Sequence, residues 1–204
     1  FASSGPVGAV VAPPVTALGA TLAQMPAAPV PGTPVTYRIV VTNTGTATLT
    51  SLDVSDTVAS VVTGVVASHP GVFSAPVVAS VPLTGTRFVW SKSGLFFLPG
   101  TSLTFTLTGT VWNVCIATSV SNTAVAAGAG DCGAVAVPTG AVGSVVTPPV
   151  TALTAALNVA PAAPAIGAPM AIRIVVTNAG SGVVTDLIVV DTVPAVLTGA
   201  SAAQ

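Results

Sequence analysis

The sequence predicts an all-β protein built as β-sandwich units in tandem repeat, with a period of 135 residues. Three observations carry this. Val and Thr alternate in short runs, the pattern of a pleated surface with one buried face. No stretch of useful length sustains a 3.6-residue period with helix formers. And residues 13–69 align without a gap on residues 148–204, with 31 of the 57 positions identical.

The strands follow in order. Residues 35–42 (VTYRIVVT) put Tyr37, Ile39 and Val41 on one face and Thr36, Arg38, Val40 and Thr42 on the other. Asn43-Thr44-Gly45 then reads as a turn, because Asn and Gly tolerate positive φ. Residues 48–58 make the next strand, with Leu52 and Val54 inward and Ser51, Asp53 and Ser55 outward. Further strands are expected near 15–23, 60–67, 75–81, 86–91, 102–112 and 117–127, and a last one near 133–137 or 141–147. Many short strands separated by Gly and Pro signals suggest a sandwich.

The repeat sets the domain boundaries. PPVTAL at 13–18 recurs at 148–153, and TYRIVVTNTG at 36–45 recurs as AIRIVVTNAG at 171–180. GPVGAVV at 5–11 lies over GAVGSVV at 140–146, so residues 1–12 read as the tail strand of a preceding repeat. Residues 13–147 make one full unit, and 148–204 the first half of a second. Arrays of similar units follow from such self-similarity. In the second copy Ile188 and Val190 stand where the first has Asp53 and Ser55. An apolar outer face there marks a candidate assembly face, since large exposed apolar patches are usually interfaces.

Composition limits function. Of 204 residues, 51% are hydrophobic and only 4% charged, against about 25% charged in ordinary soluble domains. Four dispersed cations cannot track a phosphate backbone, so nucleic-acid binding is not expected. Disorder needs low hydrophobicity and high charge, the reverse of this chain. Strongly positive mean hydropathy raises the question of a membrane span. The uncharged stretch from Cys132 to Ile172 is broken by Pro138, Pro148, Pro149, Pro161, Pro164 and Pro169, which a spanning helix does not accept. A membrane β-barrel would need aromatic girdles, and aromatics are only 4%. Phe1 opens the chain with no basic segment leading into an apolar one, so no signal peptide is expected within these residues.

At this point the strand motifs resemble a known family: the conserved repeat domain of bacterial and archaeal cell-surface proteins, a domain family of unknown function. The carriers are VTYRIVVTNTG at 35–45 with LDVSDTV at 52–58, and MAIRIVVTNAG at 170–180 with LIVVDTVP at 187–194. SVSNTAVAA at 119–127 is similar to the family's closing strand. The resemblance implies an immunoglobulin-like β-sandwich, secreted and arrayed on cell surfaces, with no catalytic residues to transfer. The chain departs from the family in its lack of charge and in Ala59, where the family usually has the proline seen at Pro194.

Candidate sites are few. Cys115 and Cys132, with 16 residues between them, are expected to form a disulfide in an extracellular setting. Two thiols and the single His69 supply no four-ligand metal set, and no cofactor is expected. His69 with Ser68 lacks any nucleophile-elbow context and reads as a turn residue before Pro70, so no enzyme is expected. Asp56 and Asp191 read as turn or capping residues at strand ends, as do Asn43 and Asn178 in their turns. Lys92 reads as a solvated lysine in a hairpin turn formed by Ser91, Ser93 and Gly94; the competing idea is a Lys–Asn isopeptide crosslink. Phe88, Trp90, Phe96, Phe97, Phe105 and Trp112 are expected to build the core.

Two functions compete. One is a structural repeat subunit of an extracellular filament, sheath or surface layer, whose partner is a further copy of itself. The other is a passive stalk or adhesin module of a long cell-surface protein. Neither involves a small-molecule substrate, and O-glycans on the abundant Thr and Ser would help to keep such an uncharged surface soluble.

Overall fold

The computed structural model describes residues 8–202. Every regular element among them is a strand, and the chain divides into two compact units, Phe1–Pro148 and Pro149–Gln204. The first unit holds β1 (Leu18–Met25), β2 (Pro34–Asn43), β3 (Leu49–Ala59), β4 (Val62–Ser68), β5 (Val77–Val81), β6 (Gly85–Phe97), β7 (Ser102–Val111), β8 (Thr118–Gly130) and β9 (Gly133–Val146). They form a four-stranded sheet, β1-β2-β7-β4, and a five-stranded sheet, β5-β6-β3-β8-β9, all pairs antiparallel.

The first sheet has the A-B-E-D order of an immunoglobulin domain, and β3-β8-β9 has its C-F-G order. The chain visits the strands differently, because β4 joins the first sheet before β5 and β6 widen the second. Alternation explains the layering. In β2 the buried residues are Val35, Tyr37, Ile39, Val41 and Asn43, and in β3 they are Leu49, Leu52, Val54, Asp56 and Val58. Between the sheets Phe105 meets Phe73 edge-on at 5.1 Å and lies tilted on Trp90, also at 5.1 Å. These are the ring separations that favour aromatic pairs beyond simple area burial.

Several expectations need correction. Phe96 and Trp112 lie outside the core, 83% and 64% exposed, because Phe96 falls between the inward Leu95 and Phe97, and Trp112 follows the last inward residue of β7. The stretch Ser91–Gly94 is no hairpin turn. Strand β6 runs through it for 13 residues, and the extra residues are absorbed in a bulge where Leu49 pairs Phe97 but Ser51 pairs Ser93. Gly94 supplies a positive φ of 63° there. Lys92 is consequently a strand residue, paired across to Leu52. The two alternatives for the last strand are one strand, β9, kinked by a bulge beside Pro138.

The expected disulfide is absent. Cys115 and Cys132 are both free and exposed. They flank β8 at opposite ends, Cys115 before it and Cys132 in the β8–β9 turn. A 13-residue strand spans roughly 40 Å at about 3.3 Å per residue, whereas a disulfide requires Cα atoms within about 7 Å.

The second unit contains the hairpin β10 (Leu153–Ala160) and β11 (Ala171–Asn178). Its register, Leu153↔Asn178 through Ala160↔Ala171, is that of Leu18↔Asn43 through Met25↔Thr36 moved along by 135 residues. The expected strand at 187–193 is not formed, and those residues lie outside any sheet.

Candidate functional site

Two places in the molecule combine polar chemistry or exposed apolar surface in ways that packing alone does not explain. One is inside the first unit, and the other is the second unit itself.

Asp56 sits on β3, the central strand of the five-stranded sheet, and is fully buried. The expectation of an end-of-strand cap is wrong: Asp56 shares the inward parity of Leu52, Val54 and Val58. Asn122 on β8 is equally inward, between Val120 and Ala124. Its amide Nδ2 donates to Asp56 Oδ2 at 3.0 Å. Asp56 Oδ1, Asn122 Oδ1, the Tyr37 hydroxyl and Trp90 Nε1 are also buried, without a hydrogen-bond partner among the protein atoms. Two of these atoms are donors and two are acceptors.

Arg38 and Arg87, on neighbouring strands, occupy outward positions away from the carboxylate. Burial pushes the Asp56 carboxyl up to about 7, opposed by the Asn122 hydrogen bond, which favours the charged form. Burial, with a smaller contribution from the Asp56 charge, raises the Tyr37 phenol to about 12. Both groups are enclosed between sheets rather than aimed into a cleft. The Asp56–Asn122 hydrogen bond ties β3 to β8 within the core.

A second polar device closes the end of the β1–β2 hairpin. Asn43 Nδ2 donates to the carbonyls of Ala47 (2.9 Å) and Phe97 (2.8 Å), while its Oδ1 accepts from Gly45 N–H (3.0 Å). Asn178 repeats two of these bonds, to Gly182 O at 2.8 Å and from Gly180 N–H at 3.0 Å. Both asparagines do the turn work that their sequence context predicts. The counterpart of Phe97, the third partner, has no place in residues 148–204.

That difference extends through the whole second unit. Leu52, Val54 and Val58 are fully buried, whereas their counterparts Leu187, Val189 and Val193 are 53%, 50% and 36% exposed. Ile188 and Val190, the candidate assembly face, are more exposed still, at 87% and 82%. Both parities of this segment are therefore open, not only the outer one. Asp191, the counterpart of Asp56, is exposed as well.

The remaining candidates stay apart. His69 follows β4, with Nδ1 3.0 Å from the Pro70 carbonyl, in the turn its sequence suggests. Asp56, Asn122 and Lys92 do not assemble: the cross-strand neighbour of Asp56 on β6 is Phe88, four residues from Lys92. Among the described residues there is no group of three His, Cys, Asp or Glu that could hold a metal, and no helix long and apolar enough to cross a membrane.

No protein-family model matches the chain, and no curated protein matches it in sequence. Parts of several solved structures are similar to it. The C-terminal domain of the Streptococcus agalactiae AgI/II polypeptide BspA superposes with a TM-score of 0.50 at 10% identity, covering 67% of this chain and 52% of that one. A form of BcpA, the major pilin subunit of Bacillus cereus, gives 0.49 at 15% identity, over 68% of this chain and 42% of that one. The Corynebacterium diphtheriae major pilin SpaA gives 0.43 at 14% identity, over 68% and 40%. The chain thus spans about half or less of the length of each. At 10% identity the likeness to the BspA domain is one of fold.

Proposed function

We propose that the chain is a structural repeat subunit of an extracellular assembly, a filament, sheath or surface layer, built by β-sandwich packing and strand addition. One observation carries the reading. Residues of β2 and β3 that help to form the core of the first unit, Ile39, Val41, Leu52, Val54 and Val58, recur 135 residues on as Ile174, Val176, Leu187, Val189 and Val193, as in an array of similar units. Low charge acts in the same direction, because a net charge of −1 gives little repulsion between copies. The resemblance to repeat domains of cell-surface proteins supports the extracellular setting.

Electron microscopy and intact mass on the same native material test this. Ordered filaments, sheaths or sheets are the expected result. A chain that stays monomeric and unassembled at high concentration sinks the reading. The alternative, a passive stalk or adhesin module, rests on the same repeat and predicts a very long polypeptide without lateral order.

A further inference from the structure

We propose that Asp56 and Asn122 form a proton-gated latch between β3 and β8. With its proton, the Asp56 carboxyl is joined to the Asn122 amide by two hydrogen bonds: Nδ2–H donates to Asp56 Oδ2, and Asp56 Oδ1–H donates to Asn122 Oδ1. Without the proton the second bond is lost and two buried oxygens repel each other. The latch lies wholly in the first unit and exists whether or not the chain assembles.

Register brings the two side chains together. Asp56 stands opposite Ala124 and Asn122 opposite Val58, so they reach each other diagonally across the β3–β8 ladder. Asp56 is 0% exposed and Asn122 1%. The 3.0 Å bond uses one donor of the amide and one oxygen of the carboxyl. The other oxygen of each group is buried with no hydrogen-bond partner among the described residues. Neither the Tyr37 hydroxyl nor Trp90 Nε1 bonds to them. An ionised carboxylate and an amide carbonyl are both acceptors, so neither oxygen satisfies the other. A proton on Asp56 Oδ1 makes it a donor. A carboxylic acid and a primary amide are both flat and of similar width, so the bond already made favours the second. An unpaired buried acceptor is costly, and the proton relieves two at once.

The surroundings favour the neutral acid. Tyr37 on β2 is the titratable side chain that faces the core beside it, and burial holds its phenol near 12. Arg38 on β2 and Arg87 on β6 point outward, as does Asp53 on β3 itself. Lys92 lies four residues along β6 from Phe88, the cross-strand neighbour of Asp56, and pairs with Leu52. Strands β1, β4, β7 and β8 carry no titratable residue. Burial raises the carboxyl to about 7, so the proton stays on where ordinary aspartates have lost theirs.

The test follows the side-chain carbons of Asp56 and Asn122 by NMR in the 204-residue chain from pH 4 to 9. Asp56 Cγ is expected to titrate near 7, and Asn122 Cγ to move with the same midpoint as its carbonyl loses a bond. A constant Asn122 Cγ overturns the proposal; it is the result expected if a water, not the carboxyl, donates to that oxygen. An Asp56 already ionised at pH 5 overturns it too. The second arm is Asp56→Asn, whose amide makes the same two bonds at every pH. From pH 5 to 8 the ratio of folded to unfolded chain is expected to fall about 100-fold in the natural sequence and less than about 3-fold in the variant. At pH 8 the variant is expected to be the more stable of the two. A variant that is less stable at pH 8, or does not fold, overturns the latch.

Discussion

Asp56 is the residue whose environment has the largest measurable consequence. Its carboxyl ionises near 4 when unfolded and near 7 when folded. The folded chain therefore holds the proton more tightly, and stability falls as pH rises. The contribution is fully present below about pH 4, is lost between about 4 and 7, and is flat above. A shift of this size corresponds to roughly 4 kcal/mol. Denaturant midpoints measured from pH 4 to 8 should fall across that window, and Asp56→Asn should flatten the slope. An unchanged slope in that variant would place the pH dependence elsewhere. Asn122→Ala removes the hydrogen bond that Asn122 Nδ2 donates to the carboxylate and should cost about 1–3 kcal/mol at pH 8. The chain contains a signal for this pair that the strand-end reading overlooks: in LDVSDTV, Asp56 has the parity of the leucine and valines, not of Asp53 and Ser55.

At the level of elements, β6 shows how a strand can hide behind turn residues. Ser91, Lys92, Ser93 and Gly94 are good turn formers, yet β3 lies alongside and takes up their hydrogen bonds, so the surplus becomes a bulge. The β6 entry is constrained more tightly. Gly85 has φ +143°, and a Cβ there would collide with the Val58 carbonyl. Gly85→Ala should destabilise the first unit by at least about 2 kcal/mol, read from its unfolding midpoint. The cysteines are governed by the length of β8. Both thiols should react with an aromatic disulfide reagent in the folded, unreduced chain; protection of both, with a mass lower by two hydrogens, would contradict the strand's span.

For the whole molecule the two units must be considered separately. The first encloses a core with Trp90, Tyr37 and Phe105 fully buried. The second has a hairpin and an open segment around Leu187–Val193. Brief digestion with a protease of broad specificity should cut within 149–202 first and leave a fragment containing β1–β9, identified by mass. First cuts inside β2, β3 or β8 would contradict this division.

The sequence alone determined the all-β class, nearly every strand of the first unit, the inward faces of β2 and β3 and the two asparagine turns. It could do so because those features follow from local alternation and turn chemistry, within a few residues of each other. The 135-residue period was also legible, since identity needs no structure. Tertiary structure decided the rest. Which sheet β4 joins, whether Ser91–Gly94 turns or bulges, and how far apart β8 holds the two cysteines depend on neighbours distant in the chain. The same holds for the repeated motif itself. LDVSDTV becomes a buried central strand because β6 and β8 flank it, and LIVVDTV, without flanking strands in residues 148–204, forms no strand at all. A strand's backbone hydrogen bonds lie in other segments, so its pattern states a capacity that only partners realise.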